Sequence, residues 1–406
     1  MQRITGVDVA RGLAVLGMIT AHVGPGGPDD PWPWSLAQVV DGRSAALFVL
    51  LSGVSVALIS GGSSPVVGVR RVQARTRILV RAFAVLGIGV AVLLLGTPVV
   101  VILPTYAVLF AAAVPLLGAD PRRLLVGAAA VAALGPVLRL AVAPVLAVLP
   151  GRAFTDIVVG DYYPALVWFA YVLVGLAVGR SDLRDAAVRR RLLGAGVVLA
   201  VVGHGASALL SRAVEPGGTL AALVTTEPHS SSPLEVVANT GVGLAVLALC
   251  LVVGDAAPRL VAPVAATGAL ALTAYTAQLF AIAGLGERVV WEPDTSVWLT
   301  FLAVTLAACW LWRVAFGQGP LERLLHTLAA RAPARAGRPG AAGQDRGREG
   351  PRAARPGAVC GARRLNRNAS VAPMPVTRPS APASSTTRPF RPSTRSAYGR
   401  RGRAAD

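Results

Sequence analysis

Residues 3–23 read RITGVDVARGLAVLGMITAHV. As a helix the run is long enough to cross ~30 Å of hydrocarbon, yet it carries Asp8, Arg11 and His22. An ionisable side chain at membrane depth costs a few kcal/mol, so each of the three needs a partner or a purpose. At ~100° per residue, Arg11 falls ~60° and His22 ~40° behind Asp8, which puts all three on one narrow face with Val15, Met18 and Ile19. Asp8 and His22 are then ~21 Å apart along the axis. Because charges interrupt the apolar run and no clear cleavage site follows, the segment reads as a retained helix rather than a signal peptide.

Outward from this run the same texture continues. The chain has 406 residues, 54% hydrophobic and 15% charged, whereas a soluble domain carries about a quarter charged residues. That excludes a soluble enzyme. Apolar stretches near 5–23, 44–60, 78–95, 98–117, 124–149, 162–179, 192–210, 235–253, 260–285 and 297–316 predict an all-α polytopic integral membrane protein with about ten transmembrane helices. The fifth is interrupted by Pro136, Arg139 and Pro144, and Gly96-Thr97-Pro98 forces a tight hairpin between the third and fourth.

The net charge of +19 conflicts with this apolarity until it is sorted by position. All 39 basic residues are Arg, and residues 331–406 hold 17 of them against Asp345, Glu349 and Asp406, a net of +14. The expected organisation is a membrane domain over 1–328 and a disordered Arg/Pro/Ala-rich tail over 329–406, which cannot bury enough surface to offset ordering entropy. A polybasic segment of this kind can contact anionic lipid; the global charge does not point to nucleic acid. The alternate loops hold Arg70, Arg71, Arg75 and Arg77, then Arg122 and Arg123, then Arg180, Arg184, Arg189, Arg190 and Arg191, then Arg259. The intervening loops hold one each, Arg43, Arg152, Arg212 and Arg288. That asymmetry predicts cytoplasmic N- and C-termini.

Cys250 and Cys309 lie in apolar runs and Cys360 in the tail, so neither a disulfide nor a metal site is expected. No Walker-type loop or dinucleotide fingerprint occurs. Asp8 and Arg11, three apart, can pair, and Arg11 at the cytoplasmic mouth can also take a phosphate with its planar fork. His22 falls at the outer end of the first helix. Asp41 begins the second helix at that level, and Glu235 and Asn239, four apart, reach a similar depth; a carboxylate-oriented imidazole is a competent general base. His204, between Gly203 and Gly205, reads as structural, and His229 sits in an outer loop, TTEPHSSSPLEVV, where it could touch substrate.

The pattern Arg3-Ile4-x-x-x-Asp8-x-x-Arg11-Gly12 with His22 beyond it resembles the opening helix of the transmembrane acyltransferases, most closely the acyltransferase-3 branch. The segment 34–55, WSLAQVVDGRSAALFVLLSGVS, resembles the second-helix region of the heparan-α-glucosaminide N-acetyltransferase branch, with Trp34 and Asp41 seven apart. Further on, Glu235-x-x-x-Asn239-Thr240-Gly241, Gly268-x-x-Ala271-Leu272-Thr273-x-Tyr275 and Phe316-Gly-x-Gly-Pro-Leu-Glu322 are similar to bacterial DUF418 membrane proteins. Pro31 stands where the heparan branch has its proposed active histidine, so the resemblance transfers through His22.

The resemblance implies an acyltransferase of the bacterial inner membrane. Its donor would be cytoplasmic acyl-CoA, acetyl-CoA first, and its acceptor a carbohydrate or envelope glycan on the outer side. Arg11, with Arg70 or Arg71, would hold the donor phosphates. His22, oriented by Asp41 or Glu235, would deprotonate the acceptor or briefly carry the acyl group, with Asp8, Glu235 and Asn239 in support. The rival expectation is a transporter or lipid-handling protein without covalent chemistry, its site at mid-depth near Arg139.

Overall fold

The computed structural model describes residues 3–26, 32–146 and 152–336. Every regular element among them is helical. In chain order these are α1 (Thr5–Val23), α2 (Arg43–Ile59), α3 (Gly68–Leu93), α4 (Leu103–Ala113), α5 (Pro121–Leu146), α6 (Arg152–Val159), α7 (Ala165–Val178) and α8 (Ala186–Leu210). They are followed by α9 (Thr219–Val224), α10 (Pro233–Ala256), α11 (Ala262–Ala269), α12 (Ala271–Leu285), α13 (Arg288–Trp291), α14 (Thr295–Phe316) and α15 (Pro320–Ala336). Short 3₁₀ segments at Trp34–Val40 and Val114–Leu116 extend α2 and α4.

Seven helices among the described residues are long and apolar enough to cross a membrane: α1, α2 with its 3₁₀ lead-in, α3, α5, α8, α10 and α14. The chain is a multi-pass membrane protein. The structure does not reproduce the expected ten full-length spans, and the differences have local causes. Residues 98–102 are not helical, so α4 with its 3₁₀ end covers only Leu103–Leu116; α7 is equally short. Fourteen residues make ~21 Å of helix. The stretch expected at 260–285 breaks at Leu270, where α11 and α12 meet at 83°, and it makes an eighth crossing if the pair counts as one span. Conversely, α5 continues through Pro136 and Pro144. Arg139 of that helix does not mark a mid-depth site, because its guanidinium bonds Val159 O and Gly160 O (3.1 Å each) and Asp161 (2.7 Å). Helix α15 carries on to Ala336, past the tail boundary expected at 329; the rest of that tail, 337–406, lies outside the described residues.

The breaks are chemically marked. Asp185, Ser232 and Asp294 cap α8, α10 and α14 by accepting from Ala187 N, Glu235 N and Ser296 N respectively. At the Leu270 break, Glu322 reaches back from α15 to accept from Leu272 N (2.9 Å), Thr273 N (3.0 Å) and Thr273 Oγ1 (2.6 Å). A carboxylate there satisfies orphan donors and the positive end of the α12 dipole together.

Helix α1 is the hub: thirteen of its nineteen residues are buried. In lipid no hydrophobic force pulls apolar helices together, so close backbone approach does that work. A Cβ at Gly12 would lie 2.0 Å from Val264 O, and one at Gly268 1.8 Å from Asp8 O. Only glycine lets α1 and α11 touch there.

Candidate functional site

At its N-terminal end α1 builds a basic mouth. Asp8, 7% exposed, pairs with Arg3 and, at 2.9 Å, with Arg11. Arg11 also reaches Ser55 Oγ on α2 (3.0 Å) and Gly268 O on α11 (3.3 Å), so it pins three helices at once. Two cavities meet here and share Arg11, Ser55, Ile59 and Arg81. The larger, about 760 Å³, is walled by Arg3, Arg184, His326 and the Gly61–Gly62–Ser63 turn. The smaller, about 250 Å³, runs inward past Phe48, Val85 and Leu103 to Tyr106. The buried Tyr106 hydroxyl has no hydrogen-bond partner.

The turn in the outer wall is held by a buried cation. Arg180 Nη1 bonds Gly62 O (2.9 Å) and Nη2 bonds Ser60 Oγ (2.9 Å) and Leu117 O (2.6 Å). Of the arginines expected to serve the mouth, Arg11 is there and Arg70 and Arg71 are not. They fall in the first turn of α3, where Arg70 is exposed and Arg71 Nε bonds Val66 O (3.1 Å). Neither lines either cavity. Arg81, three turns further on, faces both. It stands inside an apolar run, RILVRAF, and the criterion that singled out Asp8, Arg11 and His22 would have found it.

The other end of α1 carries the histidines. His22 Nδ1 lies 2.6 Å from Gln278 Nε2 of α12, not against a carboxylate. Asp41 Oδ1 accepts from Gly42 N (2.9 Å) and meets His229 Nε2 at 3.2 Å. Glu235 gathers the loop that carries His229: it accepts from His229 N (2.9 Å), Ser230 Oγ (3.1 Å), Ser231 N (2.6 Å) and Asn239 Nδ2 (3.2 Å). Asp41 and Glu235, expected to orient His22, therefore both serve His229. The reason is steric and local, since this loop lies over Gly42, where a Cβ would come within 3.2 Å of Pro228.

His229 and Ser231 adopt positive φ, 63° and 53°, a region costly for side chains other than Gly. The Glu235 carboxylate holds both N–H groups in that conformation. The His229 ring stacks on Trp168 (6.3 Å, 7° between planes) and meets Tyr163 edge-on at 5.2 Å. Burial draws the His229 pKa down, but the hydrogen bond and charge of Asp41, with the charge of Glu235, more than offset it, and the ring titrates above its ordinary 6.5. Asp41 lies within electrostatic range of both His22 and His229. Tyr275 lies within such range of Tyr106 at the end of the inner cavity and of Tyr163 beside His229.

Gln278 was not legible as a partner for His22, since 256 residues separate them; its one signal is an amide inside an apolar helix, TAYTAQLFAIAG. Among the described residues no group of three or more His, Cys, Asp or Glu could hold a metal ion.

The family described as heparan-alpha-glucosaminide N-acetyltransferase, catalytic, matches residues 3–210. A second, described as a protein of unknown function (DUF418), matches residues 180–332. No curated protein matches the chain. The site draws on both matched regions, with Arg11, His22 and Asp41 in the first and His229, Glu235, Gln278 and Glu322 in the second.

Proposed function

The chain belongs to the heparan-alpha-glucosaminide N-acetyltransferase catalytic family, and from that footing we propose that it moves an acyl group, acetyl first, from acyl-CoA to a sugar or cell-envelope acceptor. One observation carries this reading: the basic outer cavity opens into the apolar inner one at Arg11 and Arg81. Phosphates suit the first and a thioester arm the second. Arg11, Arg81, Arg3 and Arg184 would take the donor phosphates as charge-assisted forks. The arm would extend past Phe48 toward Tyr106, which shortens the ~16 Å between Arg11 and His22 along α1.

His22 would be the base. His229 is less suited, because its Nε2 is engaged by Asp41 and its Nδ1 is sealed from solvent. With Nε2 toward the ring, the Gln278 amide donates to His22 Nδ1. Turned over, an isosteric change, it accepts Nδ1–H through Oε1 and leaves ring Nε2 free to take a proton. An acceptor N–H or O–H would give its proton to His22 while its lone pair attacks the thioester carbonyl. The C–S bond then breaks and the leaving thiolate takes the proton back. Asp41 supplies negative charge near the transient imidazolium, with Asp8 positioning Arg11, and Glu235 and Asn239 positioning the His229 loop.

The topology proposed with this chemistry has both termini cytoplasmic in a bacterial inner membrane, and it reaches about ten crossings only if the bent α11–α12 pair and the short α4 and α7 are counted beside the seven long helices. The donor enters from the Arg11 end and the acceptor from the His22 end. The test is transfer of radiolabel from acetyl-CoA in membranes holding wild type or His22→Ala; label transfer that persists in the variant sinks the His22 mechanism. A transporter is the second reading, favoured by the 83° break between α11 and α12. Substrate uptake without transfer from any acyl-CoA would establish it.

A further inference from the structure

A groove runs along the outside of α12, against α14. Among the residues of α14 only Trp298 and Cys309 are buried, so the helix stands off its neighbours and leaves a cleft of about 310 Å³. The cleft extends from Leu270 at the bend to Leu285 at the end of α12, and the helical part is ~21 Å long at 1.5 Å per residue. Ala277, Ala281 and Ala308 line it and are exposed. In a membrane-spanning helix such an exposed face meets lipid, not water.

Its inner wall includes Gln278, 3% exposed, the same residue that holds His22. The far end of that amide, Oε1, is buried with no hydrogen-bond partner. Whichever end of the amide faces His22, the other is left unpaired, and a buried polar group in that state calls for a ligand that pairs with it. An apolar channel of this length and one polar group beside the proposed base suit an amphiphile better than a dissolved sugar.

We propose that this groove seats the alkyl anchor of a lipid-linked acceptor, whose head group turns in at Gln278 to meet His22. The inference rests on the acyl-transfer reading and specifies its acceptor class: a membrane-embedded molecule with one long hydrocarbon chain and a nucleophilic N–H or O–H. The transfer step is the one already written, with the proton passing from the acceptor to His22 and then to the thiolate.

Two readouts on the full chain in phosphatidylethanolamine–phosphatidylglycerol vesicles test it separately. The first is photolabelling by hexadecyl glucosaminide with a diazirine in its chain. The second is transfer from radiolabelled acetyl-CoA to hexadecyl glucosaminide or to methyl glucosaminide. The label should fall on peptides spanning 277–281 and 304–308 and should be displaced by unlabelled hexadecyl glucosaminide but not by added phospholipid. Ala281→Trp should cut labelling and transfer to the hexadecyl acceptor by about tenfold or more, with transfer to methyl glucosaminide kept within about twofold. Ala308→Trp blocks the opposite wall and should do the same; if both variants misfold, the wild-type label and its competition decide.

Label elsewhere, label displaced equally by phospholipid, or equal loss for both acceptors in the blocked variants overturns the proposal. Specific groove labelling without transfer supports the alkyl site and sinks the transferase reading instead.

Discussion

His22 and His229 share one end of α1 and the field of Asp41, yet their partners fit them for opposite work. A neutral amide orients the His22 ring without bringing a charge to it, whereas a carboxylate on His229 favours the imidazolium. Removing His22 should lower kcat by about 10²–10⁴, the usual range for a lost general base, with little change in donor KM. Arg81→Ala should do the reverse, raising the acyl-CoA KM by about tenfold with kcat nearly unchanged, as loss of ground-state binding requires. His229 sets a pH dependence. Its folded pKa is raised, so the stability it contributes is complete below the ordinary 6.5 and is lost as pH climbs through the folded value. Wild-type melting temperature in detergent should therefore fall as pH rises above the ordinary 6.5, and His229→Gln should flatten that slope. At this scale Asp8, Arg11 and His22 were legible because charge inside an apolar run is expensive. The His229–Asp41 and His22–Gln278 pairings were not, since helix periodicity orders residues along one helix and says nothing of which neighbour it meets.

Helices were legible where apolar length alone defines them, as for α1, α8, α10 and α14. They were misjudged where backbone chemistry intervenes. Residues 98–102 are as apolar as any span, but the positive φ of Gly96 (63°) and Pro98 delay the start of α4. The Leu270 break carries no Pro or Gly at the bend itself, and its cause is a carboxylate 52 positions away. Glu322→Ala would strip three accepted bonds from the start of α12 and should cost about 2–3 kcal/mol, read as a lower midpoint in thermal gel-filtration assays. Glu322→Gln should cost less, because the amide oxygen still accepts. Helix contacts offer a harsher case. A Cβ at Gly175 would sit 1.9 Å from Leu50 O, so Gly175→Val should separate α2 from α7 and abolish a monodisperse peak in detergent.

Across the whole molecule, one residue triad on α1 organises two chemically unlike ends. Arg11 ties α1 to α2 and α11, while the far end meets α12 through His22 and α14 through Thr20, whose hydroxyl accepts from Trp298 Nε1 at 3.0 Å. If donor and acceptor come from opposite sides, cysteines placed at Ser63 and Ser230 should react with an impermeant maleimide from opposite faces. In intact cells only the Ser230 position should label; labelling of both without permeabilisation would overturn the proposed orientation. Charge sorting along the sequence is what argues for that orientation, whereas the cavities that make it useful depend on packing between distant helices.

The hold of Glu322 on α12 also bears on how the protein is made. A ribosome emits α12, with Gln278 on it, well before residue 322 exists, so the start of that helix enters the membrane with two backbone donors unclaimed. The partner of His22 is thus fixed only after the chain has been extended through α14 and into α15. Until then the histidine end of α1 waits on a carboxylate that lies far later in the chain, and a chain stalled before Glu322 would reach the membrane with that end unassembled.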